Sequence, residues 1–253
     1  MKRIGFLGTG HIAAPMVRFL AGKGHDVLVS ERNVSVAAEL AATCNAQVLA
    51  NQAVVDGSDI VFLCLRPAIW QPVVADLTFR ADQQIISVMA NVPYAALEEA
   101  VTPAQDISIT VPIGFLERGG CPLPVFPKPE PVSTLFAPEN PVISFENESN
   151  MADHFAASAT LSAVLTVMKD GADWLADQTG NEAGADMYFA SLLAGFLRDV
   201  PKDGKARILE ARSGLASPNT LNRAVVDAME TANTRDTIRD VLKSLSARMK
   251  GPS

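Results

Sequence analysis

Residues 4–13 read Ile4-Gly5-Phe6-Leu7-Gly8-Thr9-Gly10-His11-Ile12-Ala13. A short apolar run ends in G-x-G-x-x-A. The residues that follow carry apolar side chains at helical spacing: Ile12, Met16, Phe19 and Leu20. The pattern predicts a strand over Lys2–Leu7, a glycine turn, and a helix over His11–Ala21. Gly8 permits the tight turn, Gly10 lets an anion approach the backbone because it has no β-carbon, and Ala13 lets the helix lie close to the strand. The start of such a helix offers free N–H groups and a positive dipole end. Gly8, Thr9, Gly10, His11 and Ile12 are therefore expected to cradle a diphosphate.

Outward from this turn the first half alternates strand and helix signals. Strands are expected at Asp26–Ser30, Ala46–Leu49, Asp59–Leu65, Gln84–Met89 and Asp106–Val111, with helices over Val34–Ala42, Pro67–Leu77 and Pro93–Val101. Strands apolar on both faces, each followed by a helix, indicate a parallel sheet covered on both sides. The expected fold class is α/β: a doubly wound, Rossmann-type sheet. From Pro122 to Pro141 the character changes, for seven of the 16 prolines fall there. Proline removes a backbone donor, so an irregular or extended segment is expected, with a last strand over Val142–Phe145. Helical spacing then persists through Ala152–Gln178, Ala183–Asp199, Lys205–Arg212, Thr220–Ala232 and Thr234–Met249. The boundaries read as residues 1–148 for the dinucleotide-binding domain and 149–253 for an all-helical second domain.

Bulk properties narrow the class. The net charge of -7 opposes non-specific nucleic-acid binding. No apolar run reaches the roughly 18 residues of a membrane span, and the N-terminus lacks the form of a secretory signal. The three cysteines, Cys44, Cys64 and Cys121, form no CxxC pair and read as free thiols in a reducing compartment. A cytoplasmic protein with no membrane and no nucleic-acid partner is expected. No metal-spaced cluster appears, so no metal is expected.

The second strand ends in Ser30-Glu31-Arg32, about 20 residues past the glycines, where such folds read the adenine ribose. Glu31 suits the free 2′-hydroxyl of NAD. Arg32, helped by Ser30, suits the 2′-phosphate of NADP, provided Glu31 turns away. NADP is the favoured cofactor and NAD the alternative.

With these residues in hand, the chain resembles the pyrroline-5-carboxylate reductase family. Ser30-x-Arg32 is similar to the family's Ser-Asn-Arg, and the strand ending in Leu65-Arg66-Pro67 to its Val-Lys-Pro. Ala90-Asn91-Val92 stands for Ala-Gly-Val, Val111-Pro112 for Met-Pro, and Ser217-Pro218-Asn219-Thr220 for Ser-Pro-Gly-Gly-Thr. The resemblance implies an NAD(P)H-dependent reductase that transfers hydride to a cyclic imine or related small acid. It also implies a homodimer formed through the helical domain, which completes the substrate site. By position, Leu65, Arg66, Pro67, Ala90 and Asn91 would border the nicotinamide half of the cofactor. Thr220 and Ser217 would meet the substrate as catalytic residues. The family's Ser-Gly-Ser-Gly-Pro-Ala run is absent, Ala159-Thr160-Leu161-Ser162-Ala163 standing there, and Asn219 takes the place of a glycine.

A protonated imine is already electrophilic, so positioning matters more than a strong general acid. That agrees with a chain of three histidines and no acid–base constellation. His25 reads as a surface turn residue and His154 as a helix residue. Ser217-Pro218 also reads as a well-capped helix start, a geometry that equally suits carboxylate binding. Two other readings stay open. One is a β-hydroxyacid-dehydrogenase-like enzyme, whose lysine would be Lys169. The other is a non-catalytic dinucleotide-binding paralogue.

Overall fold

The first strand, β1 (Arg3–Leu7), lies near the middle of an eight-stranded sheet. In a computed structural model describing residues 2–250, it is followed by α1 (Ala13–Gly22), β2 (Asp26–Ser30), α2 (Val34–Cys44), β3 (Gln47–Leu49), α3 (Asn51–Asp56) and β4 (Ile60–Leu63). Then come α4 (Trp70–Ala75), β5 (Gln84–Ser87), α5 (Tyr94–Ala100), β6 (Asp106–Thr110) and a 3₁₀ turn at Gly114–Arg118. The sheet is completed by β7 (Leu123–Pro127), α6 (Glu130–Phe136) and β8 (Val142–Ser144), after which α7 (Ser149–Ser158) begins the helical part. Strand order is β3-β2-β1-β4-β5-β6-β7-β8, all pairs parallel except β6 with β7. The expected doubly wound α/β sheet is what forms.

Alternation of side chains along the strands explains the layering. Ile4 and Phe6 of β1 and Ile60 and Phe62 of β4 face one core, with α1, α2 and α6. Leu7 of β1 and Val61 and Leu63 of β4 face the other, with α3, α4 and α5. The Phe6 and Phe62 rings stack across the β1–β4 pair, 4.7 Å between centroids. Gly5 has a packing reason: a β-carbon there would come within 2.8 Å of Val54 in α3, so the glycine lets that helix lie on β1.

Three sequence expectations are corrected here. The proline-rich segment, expected to be irregular or extended, is extended in β7, where Leu123 and Val125 are fully buried, but it also holds the helix α6. Pro131 falls in the first turn of α6, where a missing N–H costs nothing. The segment between β3 and β4 is the helix α3, too short for its periodicity to be read. The expected helix over Pro67–Leu77 shrinks to α4.

Residues cluster into two units. One runs to Phe155 and takes in Met249 and Lys250; the other is Ala156–Arg248. The division thus falls seven residues beyond the 148/149 boundary read from sequence. The second unit is helical: α8 (Thr160–Thr179), α9 (Glu182–Asp199), α10 (Arg207–Leu215), α11 (Leu221–Thr231) and most of α12 (Thr234–Lys250). α8 and α9 pack closely because Gly171 leaves room for Phe189: a β-carbon at Gly171 would lie 2.6 Å from that ring. Among the described residues of this unit, only Ala156, Ala172 and Ala185 are buried apolar side chains. Leu161, Leu165, Trp174, Tyr188, Leu192, Ile208 and Leu221 are exposed. Ser149–Thr179 has the length and hydropathy (mean 1.2) to cross a bilayer by those two criteria alone. Serine, threonine and charged residues interrupt its apolar pattern. A helix whose apolar face meets other protein passes the same test.

Candidate functional site

Strand order reverses between β1 and β4, and in open parallel sheets ligands bind beyond the C-terminal strand ends at that point. A cleft of about 710 Å³ lies there. Gly8, Thr9 and Gly10 line it from the β1–α1 turn, Arg32, Asn33, Val34 and Ser35 from the start of α2, and Cys64, Leu65, Arg66 and Ile69 from the β4–α4 segment.

The two glycines of the turn do different things. Gly8 has φ +100°, and a β-carbon on it would lie 2.6 Å from the Cys64 carbonyl oxygen. It is needed for the backbone conformation and for the close approach of two loops. A β-carbon on Gly10 would meet nothing within 4 Å, so the space above it is open. The first main-chain bond of α1 runs from Ala14 N–H to Gly10 O, 3.0 Å. The N–H groups just before it therefore have no carbonyl one turn back. Thr9 is buried, and its hydroxyl has no hydrogen-bond partner among the described residues. Open space over Gly10, unclaimed amides and an orphaned hydroxyl make a donor-rich, concave turn that fits a diphosphate.

Side chains of the β2–α2 segment brace this turn. Ser30 is buried, and its Oγ accepts from Gly8 N–H at 2.8 Å. Asn33 Nδ2 donates to the Thr9 carbonyl at 3.0 Å, and Ser35 Oγ donates to Asn33 Oδ1 at 3.2 Å. A second hollow of about 480 Å³ is bounded by Glu31, Arg32, Asn51, Ile69, Pro72 and Val73. Arg32 and Ile69 border both hollows. Neither Arg32 nor Arg66 forms an ion pair among the described residues, so the cleft wall carries two uncompensated guanidinium groups. Cys64 is partly buried at the wall, and desolvation by the packing around it pushes its thiol well above the usual range. It stays protonated and is not an activated nucleophile.

Of the residues picked from sequence, Gly8, Thr9, Gly10, Arg32, Leu65 and Arg66 line the cleft, and Glu31 lines the adjoining hollow. Ser30 does not line either; it is inside, holding the turn. His11, Ile12 and Pro67 are exposed nearby in sequence but line neither hollow. Ala90 and Asn91 are on the loop after β5 and likewise line neither. Asn33, Ser35, Asn51 and Ile69 were missed. Asn33 stands at the N-cap position of α2, a place sequence favours for asparagine, but its side chain holds the Thr9 carbonyl instead of capping the helix; Asn51 and Ile69 reach the site through tertiary placement alone.

In the second unit, Thr220 is the N-cap of α11. Its Oγ1 accepts from Arg223 N–H at 3.2 Å and donates to the Ser217 carbonyl at 2.8 Å. Asn219 has φ +65° and Asn91 φ +59°. Both stand where the resemblance has glycine, and asparagine tolerates the left-handed region better than other side chains do. At each position asparagine holds a left-handed backbone.

Residues 3–91 match the family model described as NADP oxidoreductase, coenzyme F420-dependent. No curated protein matches by sequence. Among solved structures, the pyrroline-5-carboxylate reductase of Coxiella burnetii superposes with a TM-score of 0.83 at 18% identity, covering 98% of this chain and 97% of that one. The Streptococcus pyogenes enzyme gives 0.81 at 16%, covering 99% of both chains. The Plasmodium falciparum enzyme, solved with NADP bound, gives 0.79 at 15%, covering 98% and 97%. The chain has the pyrroline-5-carboxylate reductase fold. The likeness in fold extends over the sheet and the helical unit alike.

Proposed function

We propose that this chain is an NAD(P)H-dependent oxidoreductase, a divergent relative of the pyrroline-5-carboxylate reductases that reduces the C=N bond of a cyclic imine or related small acid. The observation that carries the reading is the turn at Gly8–Gly10, open above Gly10 and lined by unclaimed donors. Gly8, Thr9 and Gly10, with the helix start at His11 and Ile12, would hold the diphosphate. Arg32 and Ser35 would hold a 2′-phosphate, and Glu31, which borders the other hollow, leaves that charge unopposed. This favours NADP over NAD. Leu65, Arg66, Pro67, Ala90 and Asn91 are assigned to the nicotinamide half by the resemblance. A reduced nicotinamide supplies a hydride at its C4; the chain's own groups bind, orient and exclude water.

Ser217 and Thr220 are assigned to the substrate. With the Thr220 hydroxyl engaged in capping, the free N–H groups at the start of α11 are the donors for a substrate carboxylate. Exposed apolar side chains along α8–α11 favour a homodimer that buries them. Lys169 is ion-paired with Asp173, which disfavours the β-hydroxyacid-dehydrogenase reading.

The test is calorimetric titration with NADPH and NADH, followed by turnover on a panel of cyclic imino acids and 2-keto acids. NADPH binding with turnover on an imine supports the proposal. Binding without turnover on either class assigns a non-catalytic paralogue instead, and no binding of either nucleotide refutes the site. Arg32→Ala is expected to weaken NADPH by about tenfold or more and NADH little, as removal of a charge-assisted phosphate contact requires. Thr220→Ala with intact folding and unchanged turnover would remove Thr220 from the site.

A further inference from the structure

We propose that Ser30 is a positioning residue for the cofactor diphosphate, acting through Gly8 without touching the ligand. The proposal rests on the reading of the cleft as a dinucleotide site. Ser30 is 1% exposed and lines neither hollow, so it has no surface to offer a 2′-phosphate. Its hydroxyl instead takes the Gly8 N–H at 2.8 Å. Gly8 is the point at which the chain turns through φ +100°, and the orientation of its peptide fixes where the next amides, those of Thr9 and Gly10, can point.

The bond from Gly8 to Ser30 belongs to a set. Asn33 Nδ2 holds the Thr9 carbonyl at 3.0 Å, and Cys64 N–H holds the Leu7 carbonyl at 2.9 Å. Three consecutive residues, Leu7, Gly8 and Thr9, are thus tied to the end of β4, to β2 and to the start of α2 in turn. Without the Ser30 hydroxyl, the Gly8 N–H is buried with no acceptor. It can recover a partner only by rotating the peptide, which turns the donors of the cradle away from their shared focus. The contribution of Ser30 is therefore to the diphosphate, and not to the 2′-phosphate at the far end of the same segment.

The experiment measures Kd for NADPH, NADH and adenosine 2′-monophosphate, which lacks a diphosphate, in the wild type, Ser30→Ala, Ser30→Thr and Arg32→Ala, with thermal melts of each. Ser30→Ala should bind both dinucleotides about tenfold more weakly, the scale of one hydrogen bond, and adenosine 2′-monophosphate unchanged. Ser30→Thr, which keeps the hydroxyl, should restore binding. Arg32→Ala should do the reverse, losing adenosine 2′-monophosphate and NADPH but not NADH. If Ser30→Ala does not fold, Ser30→Cys, a weak acceptor of similar size, is measured in its place and should weaken both dinucleotides alike. Unchanged dinucleotide affinity in a folded Ser30→Ala or Ser30→Cys protein overturns the proposal. So does an equal loss of adenosine 2′-monophosphate, which would mean the whole cleft had collapsed. A wild type that binds neither dinucleotide overturns the underlying site reading, a distinct result.

Discussion

Replacing each glycine of the turn by alanine should separate folding from binding. At Gly8 a methyl group meets two obstacles. The backbone has φ +100°, outside the regions L-residues favour, and the β-carbon would lie 2.6 Å from the Cys64 carbonyl oxygen. That oxygen is main chain and cannot rotate away. Relief requires the β1–α1 turn to part from the β4–α4 segment, loosening the Cys64 N–H to Leu7 O bond and the Gly8 N–H to Ser30 Oγ bond. Backbone strain of about 1–3 kcal/mol together with the weakening of both hydrogen bonds, about 1 kcal/mol in all, puts the loss at roughly 2–4 kcal/mol. For a chain of this size that lowers the Tm by roughly 5–15 °C.

At Gly10 no positive φ is involved and a β-carbon meets no atom within 4 Å. Gly10→Ala should melt within about 2 °C of the wild type, since none of the mechanisms behind large losses applies. The methyl group would nevertheless stand in the space assigned to the diphosphate, so NADPH affinity should fall by about tenfold or more. Differential scanning fluorimetry with and without NADPH, plus calorimetry, reads both quantities on the same samples. A Gly8→Ala protein as stable as the wild type would show that the turn is not wedged against Cys64. A Gly10→Ala protein that binds NADPH normally would show that the open space over Gly10 is not where the nucleotide goes.

Four further outcomes follow from the structure. Asn91→Gly and Asn219→Gly should be close to neutral in a thermal melt, whereas alanine at either position should cost about 1 kcal/mol, because only the former accepts a left-handed φ freely; neutrality of both alanine variants would contradict the assignment. Gly171→Ala should destabilise the protein by about 1–3 kcal/mol through its clash with the Phe189 ring, measured by denaturant unfolding, and Gly171→Ala with Phe189→Leu should recover part of it. Burial raises the Cys64 and Cys121 thiols and the Tyr94 phenol, so the folded state holds these protons more tightly than the unfolded chain does. Stability should therefore be complete below pH 9, the ordinary thiol value being 9.0, and should fall as the pH rises beyond it; a Tm flat from pH 8 to 10.5 would refute this. Iodoacetamide at pH 7.5 should alkylate Cys64 slowly in the native protein and rapidly after unfolding, read by mass spectrometry.

The parts of the molecule that were legible in sequence are those where local chemistry and tertiary structure demand the same residue. Gly8-x-Gly10-x-x-Ala13 announces its turn because a positive φ at Gly8 and the close approach of the Cys64 carbonyl leave few residue choices. The both-faces-apolar strands at Ile4–Leu7 and Ile60–Leu63 announce a buried parallel sheet for the same reason. Where the two demands conflict, the reading failed. In the proline-rich segment the local signal opposes helix, yet α6 forms there, with Pro131 in its first turn and Val132, Leu135 and Phe136 buried. Ile69, Pro72 and Asn51 border the site from α4 and the start of α3, and nothing in their own neighbourhoods marks them; the sheet's crossover brings them together. Ser30 shows a subtler limit. Its position at the end of β2 was correct, but sequence alone could not say that its hydroxyl faces inward to Gly8 instead of outward to a ligand. A motif fixes where along the chain a residue is needed, whereas the role it takes depends on which side of the backbone the side chain leaves. In this fold that choice follows from strand parity: buried Val29 faces the α1–α2 core, so its neighbour Ser30 leaves by the opposite face, toward the glycine turn.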